Sequence, residues 1–321
     1  MEMILTGIEN KNEYYTNHYF TSIFQDNAED TIKKWKKKEK EEEIQLPWKK
    51  LRDVRTQYYN IRDRYLRSKN EEASKPMIQE LATLYLKALG YESINSVSEE
   101  VADGLNIPIF HEVTKANGAP LLWAFLSVAA ERDDDILQGY IFEKSDDDEN
   151  GASVDVVNDE ILAKLFFAGE EAPRFILLFG INQIALIDRN KWNEKRYLQF
   201  IMEDIYSRHE ESTFMAMTVL LHKESLCPTD GAIVLDSLDE NSHKHSAGVS
   251  DALKYALRES IEILGNEVIY DMKTRQGINL EENPVDASEL TLECLRYMYR
   301  FLFMLFIEAR PELGYAPMKS Q

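Results

Sequence analysis

Four carboxylates near the middle of the chain, Glu80, Glu112, Glu131 and Asp133, are of the type that holds a divalent cation. Metal-assisted hydrolysis of a phosphodiester needs such acids on a helix and on adjoining strands, with a lysine nearby to help activate water. The working spacing is an Asp on one strand and Glu-x-Lys on the next. Glu80 falls in a stretch of helical periodicity, and a hairpin turn at Asn117-Gly118 follows it. The strand beyond that turn reads Leu121-Leu122-Trp123-Ala124-Phe125-Leu126-Ser127-Val128, with no carboxylate and no lysine. Glu112, Glu131 and Asp133 stand at strand ends and are the acids left to be recruited. The sheet is therefore expected to be a scaffold. Mg²⁺ is required only in the alternative in which the four acids assemble a nuclease site.

Phosphate contact is the second chemistry in view. Residues 33–69 hold 14 Lys/Arg against 6 acids, a local charge of +8 on a chain of net −20. Lys33, Lys34, Lys36, Lys37, Lys49, Lys50, Arg52, Arg55, Arg62, Arg64 and Arg67 are candidate contacts to a DNA backbone, with Tyr58 and Tyr59 among them. A solvated helix face on an acidic protein is the competing reading. A third candidate is Ser242-His243-Lys244-His245, followed by Ser246 and by a helix expected to start at Ser250. Its imidazoles and lysine suit an anion at a helix N-terminus; the simpler reading is a polar loop that caps carbonyls. No third ligand stands at metal spacing, so no metal is expected there.

Other chemistries have no support. Neither G-x-G-x-x-G nor G-x-x-x-x-G-K-[ST] occurs, and G-x-S-x-G and H-E-x-x-H are missing as well. The balance of 37 Lys+Arg against 57 Asp+Glu excludes a uniformly basic nucleic-acid coat protein, and 44% hydrophobic residues predict a packed core. Cys227 and Cys294 are too few for a disulfide framework and read as buried thiols in a reducing compartment. The first residues lack the pattern of a secretion signal. The longest apolar run, residues 301–307, is far short of the roughly 20 residues of a bilayer span. The expectation is a cytoplasmic protein without a membrane partner.

The elements that position these groups follow from periodicity. Tyr14, Tyr15, His18, Tyr19, Phe20 and Phe24 form an aromatic stripe of core type, and residues 32–43 read as a solvated helix or an arm. From Trp48, the residues Leu51, Val54, Tyr58, Ile61, Tyr65 and Leu66 mark an amphipathic helix with a basic outer face. Pro76 opens the helix that carries Glu80, and Gly90 closes it. Short apolar runs at 107–113, 121–128, 175–179 and 184–187 read as strands, and 159–167 as a crossing helix. From Tyr197 the pattern is mostly helical, with Ser250 and Ser288 as candidate caps of two long helices.

Several stretches resemble one family: Leu226-Cys-Pro-Thr-Asp-Gly, residues 235–245, residues 249–259, Leu264-Gly-Asn-Glu, Leu295-Arg-Tyr-Met-Tyr-Arg and residues 307–315. They are similar to the N-terminal part of large adenine-specific DNA methyltransferases of type IIG restriction-modification and of BREX- and DISARM-like phage-defence systems. The likeness is strongest over residues 173–317. It implies an α+β fold: a small mixed, PD-(D/E)XK nuclease-like sheet flanked by helices, followed by an all-α connector. The expected domains are a basic helical segment at 1–75, a degenerate nuclease-like domain at 76–205 and a connector at 206–321. The resemblance also implies double-stranded DNA as partner, other defence subunits, and a downstream methyltransferase domain that uses S-adenosylmethionine. The methyltransferase signature [DN]-P-P-[YF] is absent; Asn283-Pro284-Val285-Asp286 departs at both later positions. Leu126 and Ser127 stand where a nuclease needs acid and lysine. No cofactor is therefore expected in this segment. The three readings are a non-catalytic DNA-contacting module, an active Mg²⁺-dependent nuclease, and a protein-interaction module.

Overall fold

Strands β5 (Pro120–Leu126), β6 (Phe175–Phe179) and β7 (Gln183–Asp188) are apolar at nearly every position, as strands covered on both faces must be. The computed structural model describes residues 5–68, 74–101, 105–128, 135–141, 157–168, 172–309 and 315. With β1 (Ile8–Lys11), β4 (His111–Thr114) and β8 (Tyr197–Ile201), these strands form a six-stranded mixed sheet in the order β1-β8-β7-β6-β5-β4. β5 and β6 run parallel, and helix α6 (Asn158–Ala168) lies between them in sequence. Every other neighbouring pair in the sheet is antiparallel. A separate pair, β2 (Val97–Val101) and β3 (Leu105–Ile109), stands outside the sheet.

Side chains alternate between two cores. Leu122, Ala124, Leu177, Phe179, Ile184, Leu186, Leu198 and Phe200 join a large cluster with the helices α1 (Asn17–Ser22), α2 (Phe24–Glu42), α3 (Pro47–Asp53), α4 (Arg55–Arg67) and α5 (Ser74–Ala88). The helices α7 (Met202–Arg208), α8 (Glu211–Leu221) and α9 (Lys223–Leu226) add to the same cluster. Trp123, Phe125, Ile176, Leu178, Ala185, Ile187 and Tyr197 point the other way and pack with Ile161, Leu162, Leu165 and Phe166 of α6. The fold is thus α+β, with a mixed sheet between helices and further helices at the C-terminal end.

Many local readings hold. Tyr14, Tyr15, Tyr19, Phe20 and Phe24 of the aromatic stripe are buried, as are Leu51, Val54, Tyr58, Ile61 and Tyr65, whereas His18 and Leu66, expected on the same faces, are exposed. Gly90 has φ +85°, and the Tyr91 amide donates to the Leu86 carbonyl at 2.9 Å, which closes α5. Gly118, at φ +84°, turns the β4–β5 hairpin, where the Ala119 amide donates to Asn117 Oδ1 at 3.1 Å. Both cysteines are free and buried.

Other readings are corrected. The helix expected from Trp48 is two helices, broken at Val54. The apolar run 107–113 divides at Phe110 between β3 and β4, which belong to different sheets. Tyr197 begins strand β8, not a helix: its residues are held between β1 and β7, and pairing overrides their ambiguous periodicity. Residues 242–246 are not a loop, because helix α10 runs unbroken from Val234 to Thr274. Ser250 therefore caps nothing. A single interior glycine, Gly248, costs a helix only about 1 kcal/mol and does not stop it. Helix α11 (Ala287–Ala309) is capped by Asp286, whose Oδ1 accepts from the Ser288 amide at 2.8 Å, not by Ser288.

By contacts the chain forms two units, residues 1–243 and 244–321. The second contains the C-terminal part of α10 and all of α11, with Leu290 beside Gly265.

Candidate nucleic-acid interface

The basic window folds into α2, α3 and α4, and burial of Trp35, Trp48, Leu51, Tyr58, Ile61 and Tyr65 decides which way its cations face. Carboxylates meet most of them. On α2, Lys33 lies 3.0 Å from Glu29 and Lys37 lies 3.7 Å from Glu41, each one helical turn apart. Lys38 donates to Glu224 at 2.6 Å, and the Trp35 indole N–H reaches the other oxygen of that carboxylate at 3.1 Å. Lys34 stands 3.9 Å from the same group. Burial alone would raise the Glu224 pKa, yet these hydrogen bonds hold it below the usual carboxylate range.

The pattern continues on α3 and α4. Lys49 pairs with Glu39 at 3.0 Å, Arg52 with Asp53 at 3.8 Å, Arg62 with Glu203 at 2.6 Å, and Arg64 with Glu80. Arg55 donates through Nε to the Tyr206 carbonyl at 3.0 Å and lies over the Tyr59 ring. Lys36, Lys40, Lys50 and Arg67 have no carboxylate partner among the described residues. The sequence count of +8 therefore overstates the free charge. Glu80, Glu203 and Glu224, which come from distant elements, neutralise cations that local sequence leaves bare.

Beside the window lies a cavity of about 370 Å³, lined by Trp35, Lys38, Lys50, His222, Lys223 and Cys227 among others. His222 caps α9: its Nδ1 accepts from the Glu224 amide at 3.2 Å, which leaves the proton on Nε2. Its ring packs against Trp35 at 4.9 Å. Burial, with Lys50, Lys38 and Lys223 nearby, pushes its pKa down to about 4. Burial likewise pushes the Cys227 thiol up to about 12. Sequence reading misses this cavity, whose walls come from α2, the loop before α3, Gly90 and α9.

The described acids and strand residues considered for a metal-dependent site serve packing and ion pairing. Glu80 sits on the exposed face of α5 and is held by Arg64. Glu112 accepts from the Trp123 indole at 2.9 Å. Glu131 and Asp133 lie outside the described residues. Phe125 and Leu126 are buried in the two cores. Ser127 is buried too, its Oγ accepting from Asn158 Nδ2 at 2.6 Å. Among the described residues, no group of three or more His, Cys, Asp or Glu is placed to hold a metal ion.

The polar run Ser242-His243-Lys244-His245 is helical. Ser242 is buried, and its Oγ accepts from the Thr16 amide at 3.2 Å. His243 lies 3.7 Å from Asp239, one turn earlier. No described helix is long and apolar enough to cross a membrane. Comparison with protein families, with curated proteins and with solved structures gives no match to this chain.

Proposed function

We propose that this chain is a non-catalytic, DNA-contacting module of a modification or phage-defence enzyme. In this reading the α2–α4 helices touch the phosphate backbone, and the sheet carries them as a platform. Base modification belongs to a methyltransferase domain of the intact enzyme, which would bind S-adenosylmethionine; double-stranded DNA and other defence subunits are the partners. The observation that carries the reading is a contrast within one unit. Lys36, Lys40, Lys50 and Arg67 keep charge that no described carboxylate neutralises, whereas β5 is apolar from Leu121 to Leu126, where a metal-dependent nuclease needs its acid. The resemblance in residues 173–317 supports the family assignment. A helix bearing Glu80, a hairpin, a crossing helix and a parallel strand supports the nuclease-like outline.

The test is duplex binding followed by fluorescence anisotropy between 25 and 200 mM salt. Four phosphate contacts give a slope of log K against log[salt] of about −3.6, and a Lys36→Ala/Lys40→Ala variant flattens it by about 1.8. A duplex affinity indifferent to salt would sink the DNA reading. Plasmid incubated with the protein and Mn²⁺ is expected to stay intact; nicking that Glu131→Ala abolishes would replace the platform by a nuclease.

A further inference from the structure

The cavity of about 370 Å³ walled by α2, α3, the turn after α5 and α9 is of a size that takes a small molecule. Its wall carries donors that the fold leaves unused. His222 is 8% exposed and caps α9 through Nδ1, so Nε2 holds the proton, and that N–H meets no acceptor among the described residues. A donor left bare at such depth costs free energy that a bound oxygen would recover. Gly90 borders Nε2 on the same wall, where a side chain would begin 2.8 Å from it. Lys50 and Lys223 also line the cavity; both are half-buried, and no described carboxylate pairs with either. Their charge acts on the His222 ring and helps to hold its pKa down, which sets both ammonium groups near the unused donor.

Four acids stand on the same wall, and they do not cancel this charge. Glu224 is spent on Lys38 and the Trp35 indole, and Glu39 on Lys49. Glu42 and Glu92 are exposed, where salt and water screen them, whereas half-buried charges are screened much less. What remains inside is two ammonium groups and one neutral N–H, with Ile44 and Pro47 as apolar wall. We propose that the cavity binds the phosphate monoester group of a small organic molecule. Such a group brings nearly two negative charges and three strong acceptor oxygens. They match Lys50 Nζ, Lys223 Nζ and His222 Nε2 in charge and in number, while the organic part lies along Ile44 and Pro47. A carboxylate, with one charge and two oxygens, leaves a donor unmet. A backbone phosphate of duplex DNA also carries a single charge. The inference does not rest on the DNA reading and shares only Lys50 with it.

Isothermal titration of the full chain with phenyl phosphate at pH 7.5 tests this, with benzoate as the comparison and denaturation midpoints as the control on folding. Phenyl phosphate is expected to bind at least about tenfold more tightly than benzoate. Lys50→Met and Lys223→Met, which keep an apolar stem, are each expected to weaken it about tenfold. His222→Asn, which keeps a capping acceptor, is expected to weaken it to a similar degree. Lys36→Ala/Lys40→Ala, outside the cavity, is expected to leave phenyl phosphate binding unchanged while it flattens the salt dependence of duplex binding, so the two proposals fail separately. Phenyl phosphate that does not bind at 5 mM overturns the site. So does binding no tighter than that of benzoate, or binding that Lys50→Met and Lys223→Met both leave intact.

Discussion

His111 and His222 show how burial at single residues becomes a property of the whole protein. Burial first, and lysines nearby, push both pKa values down to about 4, so each imidazole is neutral in the folded chain. The unfolded chain binds a proton at each near pH 6.5, and the folded chain does so only near 4. Their contribution is therefore complete above about pH 6.5, is lost as pH falls through the window from 6.5 to 4, and changes no further below it. Each histidine adds up to about 1.4 kcal/mol per pH unit within that window. Urea melts at half-unit pH steps should show this slope, and His222→Asn, which keeps a capping acceptor, should remove up to half of it. A second residue-scale prediction concerns Asp188, whose side chain is 2% exposed and 3.2 Å from Arg174. Arg174→Met leaves that carboxylate buried without its cation and is expected to cost about 3–5 kcal/mol. Adding Asp188→Asn should recover part of the loss; a denaturation midpoint unmoved by Arg174→Met would show the pair to be idle.

At the scale of elements, α10 differs most from what its residues suggest. Its first turns are tied down by Leu235 and Leu238 in the core and by ion pairs from Asp236 to Arg174 and Asp239 to Lys191. A helix nucleated on such contacts extends at little cost per residue, so it passes through Ser246 and Gly248, which read as a break in isolation. Gly248 has open space around it, and Gly248→Ala should raise helix stability by about 1 kcal/mol, seen as slower amide exchange over residues 244–252. For α11, Asp286→Ala should cost about 1 kcal/mol by loss of the cap, while Ser288→Ala should cost little. The reverse order of those two effects would restore the serine as the cap.

Across the first unit, one sheet serves two cores, and this couples them. Leu186 and Ile187 are neighbours in β7 that point into opposite clusters. Truncating either to alanine should cost about 2–5 kcal/mol, and both changes should lower one common unfolding transition of this unit. Separate movement of two transitions would mean that the faces fold independently. The same scale governs the basic window: acids on α5, α7 and α9 take up charge that the sequence leaves on α2–α4, so Lys36, Lys40, Lys50 and Arg67 carry the DNA proposal.

Periodicity and turn chemistry were enough to read the buried aromatic stripe, the close of α5 at Gly90, the Asn117-Gly118 hairpin and the strands β5, β6 and β7. These are governed by interactions a few residues long: a glycine in the left-handed region, a side chain that bonds its own turn, an apolar run too short for a helix. The lack of a carboxylate or lysine between Leu121 and Leu126 was equally plain. What needed the folded chain was every pairing between distant segments. Strand β8 depends on β1 and β7, the course of α10 on its anchor, and the free charge of the window on Glu80, Glu203 and Glu224. Such contacts are set by which surfaces close on one another, and no local pattern records the identity of a partner on another element, whether it stands 16 residues away, as Glu80 does from Arg64, or 186, as Glu224 does from Lys38.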